Sequence, residues 1–591
     1  ARVAPAVGVL TASAVTGLAA VVAVTRPTVS VPFLPRGPLA LSVDGLAALT
    51  ALTVAAVSLL VLAYSTADID SSQGRYFGLM LIFVAAVLVT VTAASLPALL
   101  MAWEVMGATS YALIAFHWRD EATVAAGTTA FVTTRLGDLG LYLAAGATLA
   151  VGVPSTYDRL PALPGPWRDV AAAGVLAAAF GKAAQLPFSF WLSRAMLGPS
   201  PVSALLHSAA MVAMGGYLLV RLHPLLAATG WAVDVAAWGG AATALALGVV
   251  AVAQDDLKQL LAASTCAQLG YVVLGGALAP AGGAAHLVAH AATKSLLFLA
   301  AGAWLTALGT RRLSALRGAG RRYRLVGAVF AAGALALAGV PPLSLWATKD
   351  EVLAGARERS VGLYAVGLAG AVLSALYSGK ALGIVLRPAT DSAIRHGGAG
   401  YDTERAGTRR VRPAQVAPMV VLALGAVGLG VLVLPPLSAV LDAAVGGGPP
   451  PTAAEVALSG ALAIGAVAVG VAVPGRLPAP RWALGWLGLG HAAHTVVVRP
   501  TLTVAHALAR FDDAILDRAV TALPSATRRL ATRLAAVDDL DVDGLVRAVA
   551  RGARRLGALA RRPQTGLVHQ YYAQAVALLG VAVLLLVLLT R

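Results

Sequence analysis

The chain has 591 residues, of which 59% are apolar and only 12% are charged, and its formal net charge is +17. A soluble domain carries about 25% charged residues, so this composition excludes an ordinary soluble protein. Apolar runs of about 18 residues or more recur along the chain, and each is long enough to cross a bilayer as a helix. The excess positive charge therefore favours basic loops on one side of a membrane over nucleic-acid binding.

The pattern of apolar runs predicts an all-α polytopic membrane protein with about fifteen transmembrane helices. The predicted spans lie near residues 4–24, 42–65, 76–98, 99–117, 124–152, 169–192, 202–222, 231–253, 258–279, 283–308, 325–347, 361–387, 414–438, 453–474 and 570–590.

Arginine-rich connections indicate the orientation of these spans. The two strongest are residues 309–324 and 387–413, and the short polar connections 118–121 and 254–258 fall on the same side of the membrane. By the positive-inside rule this side is cytoplasmic.

Two apolar segments contain helix-breaking prolines in their interiors. Pro187 interrupts residues 181–192, and Pro341 and Pro342 interrupt residues 339–353. Paired broken helices in the two halves of a transporter indicate inverted repeats with a site near the membrane midplane. Lipid offers no hydrogen bonds to the freed backbone groups, so each break also predicts a hydrated cavity.

Residues 500–563 differ from the predicted spans. They are apolar at helical spacing but carry many arginines and aspartates, and Pro524 is expected to break them. This pattern predicts a long amphipathic helix lying on the membrane surface or on a partner, before a final span at 570–590. A solvated linker is the alternative.

Only five of the 44 basic residues are lysines. Lysine can release its proton when it is buried, whereas arginine effectively cannot. A coding bias accounts for the many arginines but not for the positions of the lysines, most of which lie in or beside apolar runs. Their placement indicates a chain that moves protons. The lysines are Lys182, Lys258, Lys294, Lys349 and Lys380.

The first candidate site lies in the first half of the chain. Glu104 is the one glutamate embedded in apolar sequence, so it needs a cationic partner or a proton. We expect Lys182 to be that partner, with the charge of the lysine depending on their separation. Arg135 and Asp138 are three residues apart on a helix and are expected to pair with each other.

A second candidate site contains two histidines and a lysine on one helical face. His286, His290 and Lys294 follow each other at intervals of four residues. Histidine passes protons near neutral pH, so this row favours a proton relay. A zinc site is the alternative, but no carboxylate or second thiol nearby completes it, since Cys266 is the only cysteine in the sequence.

The remaining candidates flank these two sites. Lys349 follows the second pair of prolines, with Asp350 as its expected counter-ion, and His207 is expected to connect the first broken helix with the histidine row. Lys258, in AQDDLKQLLA, has the local sequence of a solvent-exposed loop. Lys380 is expected to extend to the membrane surface as a bystander.

Several stretches together resemble the antiporter-like proton-channel subunits of respiratory complex I, the NADH–quinone oxidoreductase. They are AWEVMGATSYALIAF, TTRLGDLG, GKAAQLPFSFWLSRAMLGPSPVSALLH, AQDDLKQLLAASTCAQLGYVVL, HLVAHAATKSLLFLAAG and GVPPLSLWATKDEVL. A surface helix followed by a last span resembles the distal member of this family, the L type, which corresponds to subunit 5 of mitochondria.

The resemblance implies two inverted five-helix repeats with broken helices. The implied division is 1–75 for N-terminal helices, 76–222 and 223–387 for the repeats, 388–490 for C-terminal helices, 491–568 for a lateral helix and 569–591 for a terminal anchor. It also implies a proton route in which Arg135 and Asp138 have supporting roles. The implied members of that route are Glu104, Lys182, His207, Lys258, His286, His290, Lys294, Lys349 and Asp350.

The family resemblance further implies that this chain is one subunit of a translocating enzyme and holds no cofactor or metal. FMN, iron–sulfur clusters and quinone are expected in partner subunits, with M-type and N-type subunits and lipids as neighbours in a bacterial cell membrane. One departure is Arg194, where the family usually has aspartate, and another is that the family has one more span at its start.

Two other functions remain open at the level of sequence. The first is a subunit of a cation/proton antiporter, a membrane-bound hydrogenase or an inorganic-carbon uptake complex. The second is a scaffold that moves no protons.

Overall fold

The computed structural model describes residues 3–388 and 407–590, and within these ranges the chain is almost entirely helical. The chain divides into two compact units, residues 1–492 and 493–591. The predicted 387–413 connection lies mostly outside the described residues. The predicted domain boundaries remain a prediction.

The first unit contains one β-hairpin and 21 α-helices among the described residues, which we number in chain order. The strands are β1 (Thr28–Leu34) and β2 (Gly37–Ser42). The helices of the first half are α1 (Ala4–Thr25), α2 (Gly45–Asp68), α3 (Gln73–Thr92), α4 (Leu96–Ile114), α5 (Glu121–Ala150), α6 (Gly165–Lys182), α7 (Phe190–Ala195), α8 (Ser200–Ala204), α9 (Met211–Arg221) and α10 (His223–Thr229).

The helices that follow in this unit are α11 (Trp231–Ala253), α12 (Leu257–Leu278), α13 (Pro280–Leu308), α14 (Ala319–Arg322), α15 (Arg324–Ala338), α16 (Ser344–Arg359), α17 (Val361–Leu386), α18 (Pro413–Gly428), α19 (Leu437–Val445), α20 (Ala453–Ala472) and α21 (Arg481–Leu484). Short 3-10 segments lie at Tyr157–Ala162, Leu429–Val433, Pro474–Arg476 and Trp486–Gly488, and a π-helical turn, Leu205–Ala209, joins α8 to α9.

Sequence-encoded caps start several of these helices. Asp44 accepts a hydrogen bond from the Ala47 amide (2.9 Å), and Asp256 accepts one from the Gln259 amide (3.0 Å). Each carboxylate satisfies an amide that the first turn of a helix would otherwise leave without a partner. These aspartates therefore fix where α2 and α12 begin.

Twelve helices in the described residues are long and apolar enough to cross a membrane, so the predicted number of about fifteen is not confirmed. The three predicted spans outside this set are 124–152, 169–192 and 325–347. The first forms the long but less apolar helix α5, and the other two are each divided into two shorter helices.

Both predicted broken helices are present. α6 ends at Lys182, and helix resumes only at Phe190. α15 ends at Ala338, where Gly339 takes a left-handed conformation (φ +79°), and α16 begins at Ser344. A residue with no Cβ adopts this conformation without strain. Each break leaves a lysine beside it, Lys182 in one half and Lys349 in the other.

The helices α12 and α13 form the centre of the bundle. Every residue of α12 from Leu257 to Ala277 is buried except Gln259, and α13 is buried almost throughout. Close approach explains several glycines here: a Cβ on Gly270 would lie 2.4 Å from the carbonyl oxygen of Gly240 in α11. The central polar residues are thus enclosed by protein on every side.

A continuous helical run starts in the last residues of the first unit, extends into the second unit and ends at Arg561. The run consists of α22 (Leu489–Ala493), α23 (Arg499–Phe511), α24 (Arg518–Val537) and α25 (Asp543–Arg561). These helices are joined by π-helical turns at His494–Val498, Asp512–Asp517 and Asp538–Val542. The last helix of the chain is α26 (Val568–Leu589). Pro524 lies inside α24, so the predicted break at this proline is wrong.

Candidate functional site

The lysine at the first break forms a buried ion pair. Lys182 Nζ lies 3.1 Å from Asp138 Oδ2, and both side chains are almost fully buried. Trp103 donates from Nε1 to the other carboxylate oxygen of Asp138 (2.6 Å), and the Lys182 ammonium lies 5.0 Å from the centre of the Trp103 ring. The two opposite charges therefore compensate each other, and Asp138 also accepts a hydrogen bond in the absence of solvent. Buried charges need such partners to be tolerated.

Glu104 has a different partner from the one predicted. Its carboxylate forms an ion pair with Arg135 and accepts a hydrogen bond from the Tyr142 hydroxyl (2.9 Å). The side chains of Glu104 and Arg135 are 24% and 31% exposed in this chain. The direct Glu104–Lys182 and Arg135–Asp138 pairs expected from the sequence are thus wrong, because Asp138 points inward to the lysine while Arg135 points outward to the glutamate.

The π-helical turn brings a histidine into the interior between the two breaks. His207 is fully buried, and among the described residues neither of its ring nitrogens has a hydrogen-bond partner. Its ring packs against Trp191, with ring centres 6.0 Å apart. π-Helical turns frequently occur at functional sites, and here the turn places a titratable side chain in the interior of the bundle.

Lys258 is not in a solvent-exposed loop. It lies in the first turn of α12, is 2% exposed, and donates to the Gly198 carbonyl (2.9 Å). Asp256, two residues before it, caps α12, and the Lys258 side chain then lies in the interior. The local sequence resembles a loop because the polar residues before Lys258 form the start of α12. These residues do not indicate that the Lys258 side chain is buried.

The predicted histidine row lies on α13 at the centre of the bundle. His286, His290 and Lys294 are all fully buried. Lys294 donates to the Leu261 carbonyl and to the Ser264 hydroxyl, each at 2.6 Å. In the part of the chain that the structure describes, it contacts no carboxylate within ion-pair distance, and its charge faces these two neutral oxygens and the Phe298 ring, whose centre is 5.5 Å away.

The two histidines differ in their contacts. His286 Nδ1 lies 2.9 Å from the Thr348 hydroxyl, and His286 Nε2 has no hydrogen-bond partner among the described residues, whereas His290 interacts with the Ser208 backbone. Within the same residues no group of three histidine, cysteine or acidic side chains is placed to hold a metal ion. Buried polar atoms of this kind are usually satisfied by ordered water, which suits a relay.

The lysine at the second break is held loosely. Lys349 Nζ lies 3.3 Å from the Leu337 carbonyl and 3.4 Å from the Ser374 hydroxyl, both near the limit for a hydrogen bond. Its charge also faces the Tyr271 ring, 5.6 Å from the ring centre. Lys349 therefore has weaker contacts than Lys182 or Lys294.

Asp350 is not in direct contact with Lys349 as an ion pair in the described structure. Its carboxylate instead accepts a hydrogen bond from Ser459 of α20 (2.7 Å), and Trp346 donates to the same serine (3.1 Å). Consecutive side chains on a helix point in directions about 100° apart, so Lys349 and Asp350 face different neighbours. A small cavity is bounded by Lys349, Asp350 and Ser459.

Several polar residues around Lys349 were not predicted from the sequence. Gln268 donates to Ser374 (2.9 Å) and to Tyr377 (3.0 Å), and Ser374 donates to the Leu337 carbonyl (2.7 Å). Serine, glutamine and tyrosine are common in apolar helices, and single residues give little signal. The three-residue spacing between Ser374 and Tyr377 on α17 is the one sequence feature that could have indicated this group of polar residues.

Lys380 does not extend to the surface. It is 4% exposed, and its ammonium donates to the carbonyls of Val252 (2.8 Å) and Gln254 (2.9 Å) at the end of α11. The Asp255 carboxylate lies 3.7 Å away at the exposed rim. A cation is favoured at the negative end of a helix, so Lys380 caps α11. Arg194, where the sequence departs from the family, is exposed.

All five lysines are buried, and three of them differ clearly in the groups that face their charge. Lys182 faces a carboxylate, Lys294 faces two close neutral oxygens, and Lys349 faces two distant ones. Unpartnered histidine nitrogens lie on α13 and in the π-helical turn. Such an arrangement can hold and pass protons through the interior of the bundle, with the stability of each charge set by its neighbours.

Comparison with known proteins adds an independent finding. Residues 93–375 match the family described as NADH:quinone oxidoreductase/Mrp antiporter, transmembrane. That range includes every site residue from Glu104 to Asp350 and excludes Lys380.

Two bacterial proteins illustrate the similarity over most of the chain. NADH-quinone oxidoreductase subunit L of Escherichia coli K12 is 33% identical over 464 residues, which cover 76% of this chain and 71% of that protein. The subunit L of Mycobacterium tuberculosis H37Rv is also 33% identical, over 83% of this chain and 81% of its own length.

A solved structure shows the same fold. A chain in the Mrp complex from Dietzia sp. DQ12-45-1b superposes with a TM-score of 0.69 at 25% identity. The match covers all of this chain but only 62% of that one, so the present chain spans less than two thirds of this structural relative. The similarity to subunit L, by contrast, extends over most of both sequences. Because it is 33% identical to both proteins and covers 71% and 81% of their lengths, the chain belongs to the family of subunit L of NADH-quinone oxidoreductase.

Proposed function

We propose that this chain is a proton-translocating membrane-arm subunit of a complex I-type NADH–quinone oxidoreductase. The observation that carries the proposal is the enclosure of titratable side chains at the centre of a membrane bundle. Lys182, His286, His290 and Lys294 are all 0% exposed. Ionisable groups at membrane depth are costly and mark ion or proton pathways.

The two helix breaks give this pathway its moving parts. Lys182 ends α6 and Lys349 lies in the second turn of α16, so movement of either segment changes the contacts of a lysine. A lysine drawn away from Asp138 loses its compensating charge and releases its proton more readily. Proton transfer would then follow from displacement of a helix end, driven by chemistry elsewhere in the complex.

The chain's part in the enzyme is translocation. Electron transfer from NADH to quinone would take place in partner subunits, which would hold FMN, the iron–sulfur clusters and the quinone site. M-type and N-type antiporter-like subunits are the proposed neighbours in the membrane arm, and the proposed location is the bacterial cell membrane. The similarity to subunit L of NADH-quinone oxidoreductase supports the placement of this chain among the membrane subunits of such an enzyme.

The exposed ion pair supports a neighbouring subunit at one face. Glu104, Arg135 and Tyr142 are polar and partly exposed on α4 and α5, where Met101 and Val132 beside them are also exposed. Charged side chains at membrane depth almost always face protein or water rather than lipid. This face is therefore a natural contact for another membrane subunit.

A cation/proton antiporter is the second candidate, and the structural match to a chain of an Mrp complex favours it. The two functions differ in their partners. Purification of the tagged chain in mild detergent should recover flavin- and iron–sulfur-containing subunits, detected by absorbance and metal analysis. Recovery of membrane subunits alone, with no flavin or iron, would contradict the complex I assignment and support the antiporter.

A further inference from the structure

The histidine nearest the second break touches the broken helix itself. His286 Nδ1 lies 2.9 Å from the hydroxyl oxygen of Thr348, and both residues are fully buried. Thr348 is the residue directly before Lys349 on α16. The contact therefore joins the central helix α13 to the segment that carries the second-half lysine.

The hydroxyl of Thr348 has a second neighbour that limits what it can do. Thr348 Oγ1 lies 3.2 Å from the Ser344 carbonyl oxygen, one turn earlier on α16. A threonine hydroxyl has one hydrogen to donate and two lone pairs that accept. Since the carbonyl can only accept, the hydrogen bond to Ser344 uses the single hydrogen of Thr348. Its oxygen is then an acceptor for His286 Nδ1–H.

The opposite arrangement satisfies fewer groups. If Thr348 donated to Nδ1, the proton of a neutral His286 would lie on Nε2, and Nε2 has no partner among the described residues. That tautomer would place an N–H donor where the described residues offer no acceptor, which is unfavourable for a buried group. Buried orphan N–H groups are also rarer than acceptors with an unused lone pair. The first arrangement leaves only an unused lone pair on Nε2.

We propose that Thr348 fixes neutral His286 as the Nδ1–H tautomer, so that protons reach and leave this ring only at Nε2. The second half of this statement rests on the proposed proton translocation. A proton arriving from the preceding group of the route forms a new Nε2–H bond and gives an imidazolium. Loss of that same proton to the next group restores the neutral ring, while Nδ1–H stays bonded to Thr348.

An aromatic side chain packs beside the His286 ring. The Tyr271 ring packs beside His286, with centres 5.8 Å apart, and its hydroxyl is already bonded to the Gly367 carbonyl (2.8 Å). The Tyr271 ring also lies under the Lys349 ammonium. Because Thr348 and Lys349 are consecutive residues of α16, a shift of α16 that moves Lys349 would also move Thr348. Thr348 is thus a positioning residue that links the state of the second break to the histidine.

Nitrogen-15 NMR of the full-length chain in lipid tests this proposal directly. With the histidines labelled, the His286 signals are identified by their loss in His286→Gln. We expect the wild-type ring to be Nδ1–H at a pH where it is neutral. Thr348→Val keeps the shape but removes the hydroxyl, and should give a mixture of tautomers or the Nε2–H form. Thr348→Ser keeps the hydroxyl and should retain the wild-type signals.

Thr293→Val is the matched control. Thr293 is also fully buried and lies on α13, but its hydroxyl bonds only to the Ala289 carbonyl of its own helix among the contacts of the described residues (2.9 Å). It should leave the His286 signals unchanged. An Nε2–H tautomer in the wild type, or unchanged tautomer signals in Thr348→Val, would overturn the proposal. Because the NMR measurement needs no turnover, it is independent of whether the assembled complex translocates protons.

Discussion

Lys182 and Asp138 form a buried ion pair at the first helix break, with Nζ and Oδ2 3.1 Å apart. Glu104, the more conspicuous carboxylate in the sequence, pairs with Arg135 on a partly exposed face instead. The inner pair can therefore control the charge of Lys182, whereas the outer pair lies on the face that we propose as a contact for another subunit.

Removing the inner carboxylate should destabilise the protein much more than removing the outer one. Asp138→Asn leaves the Lys182 charge buried and uncompensated, and breaking a buried pair from one side costs about 3–5 kcal/mol. Glu104→Gln breaks a pair that is partly exposed in the isolated chain, where such pairs contribute about 0–1 kcal/mol. Thermal unfolding of the purified chain in detergent measures both variants. Equal losses would contradict the assignment of inner and outer pairs.

Lys294 should be needed as a proton carrier and not merely as a positive charge. Its two partners are neutral oxygens at 2.6 Å, so nothing in the described structure obliges it to stay charged. Lys294→Arg keeps the charge but cannot release a proton, and Lys294→Met removes both. We expect both variants to reduce proton translocation by inverted vesicles severalfold. Translocation that survives in Lys294→Arg would indicate a purely electrostatic role.

Lys380 should contribute to stability and not to transport. Its ammonium donates to two carbonyls at the end of α11, and hydrogen bonds to charged groups contribute about 1.5–3 kcal/mol. Lys380→Met should lower the melting temperature by several degrees, and Lys380→Arg should restore part of the loss. Proton translocation per assembled complex should match the wild type in both variants. A severalfold loss of transport in correctly assembled Lys380→Arg would assign Lys380 to the proton route.

Because of the Asp44–Arg221 pair, the stability of the folded protein should decrease when the pH is lowered into the acidic range. Burial acts to raise the pKa of Asp44, but the hydrogen bonds and charge of Arg221 outweigh it, so the net pKa lies below its usual value of 3.8. A carboxyl with a lowered pKa in the folded state stabilises the protein fully above its unfolded value and loses this effect as the pH falls through the folded value. The stabilisation by Asp44 is therefore present above about pH 4 and lost below it.

The comparison with Asp44→Asn isolates this effect. The melting temperature of the wild type should exceed that of Asp44→Asn by a constant amount at pH 5 to 7, and the difference should shrink as the pH is lowered below about 4. A difference that grows on acidification would show that the sign of the pKa shift is wrong.

The sequence predicted the features that follow from hydrophobicity and backbone chemistry. The apolar runs located the spans, and Pro187 and the Pro341–Pro342 pair located both breaks, because lipid and proline restrict the backbone strongly. The row of His286, His290 and Lys294 also follows from helical spacing alone. These three side chains could not have been placed on different faces of α13.

Partner choice could not be predicted in the same way. Whether Lys182 meets Glu104 or Asp138 depends on which face of α5 packs against α6, and both carboxylates lie in apolar surroundings in the sequence. Lys380 was misjudged for a related reason. Its position near the end of α17 suggested an escape to the surface, but the end of α11 covers it and supplies two carbonyls. Contacts between distant segments decided both cases.

The central claim is that Lys182 holds and releases a proton during turnover. The measurement that tests it most directly is proton translocation by the assembled complex in membrane vesicles during NADH oxidation, comparing wild type, Lys182→Met and the Lys380→Arg control. We predict that Lys182→Met reduces translocation severalfold while Lys380→Arg does not. Wild-type translocation by a fully assembled Lys182→Met complex would contradict the claim.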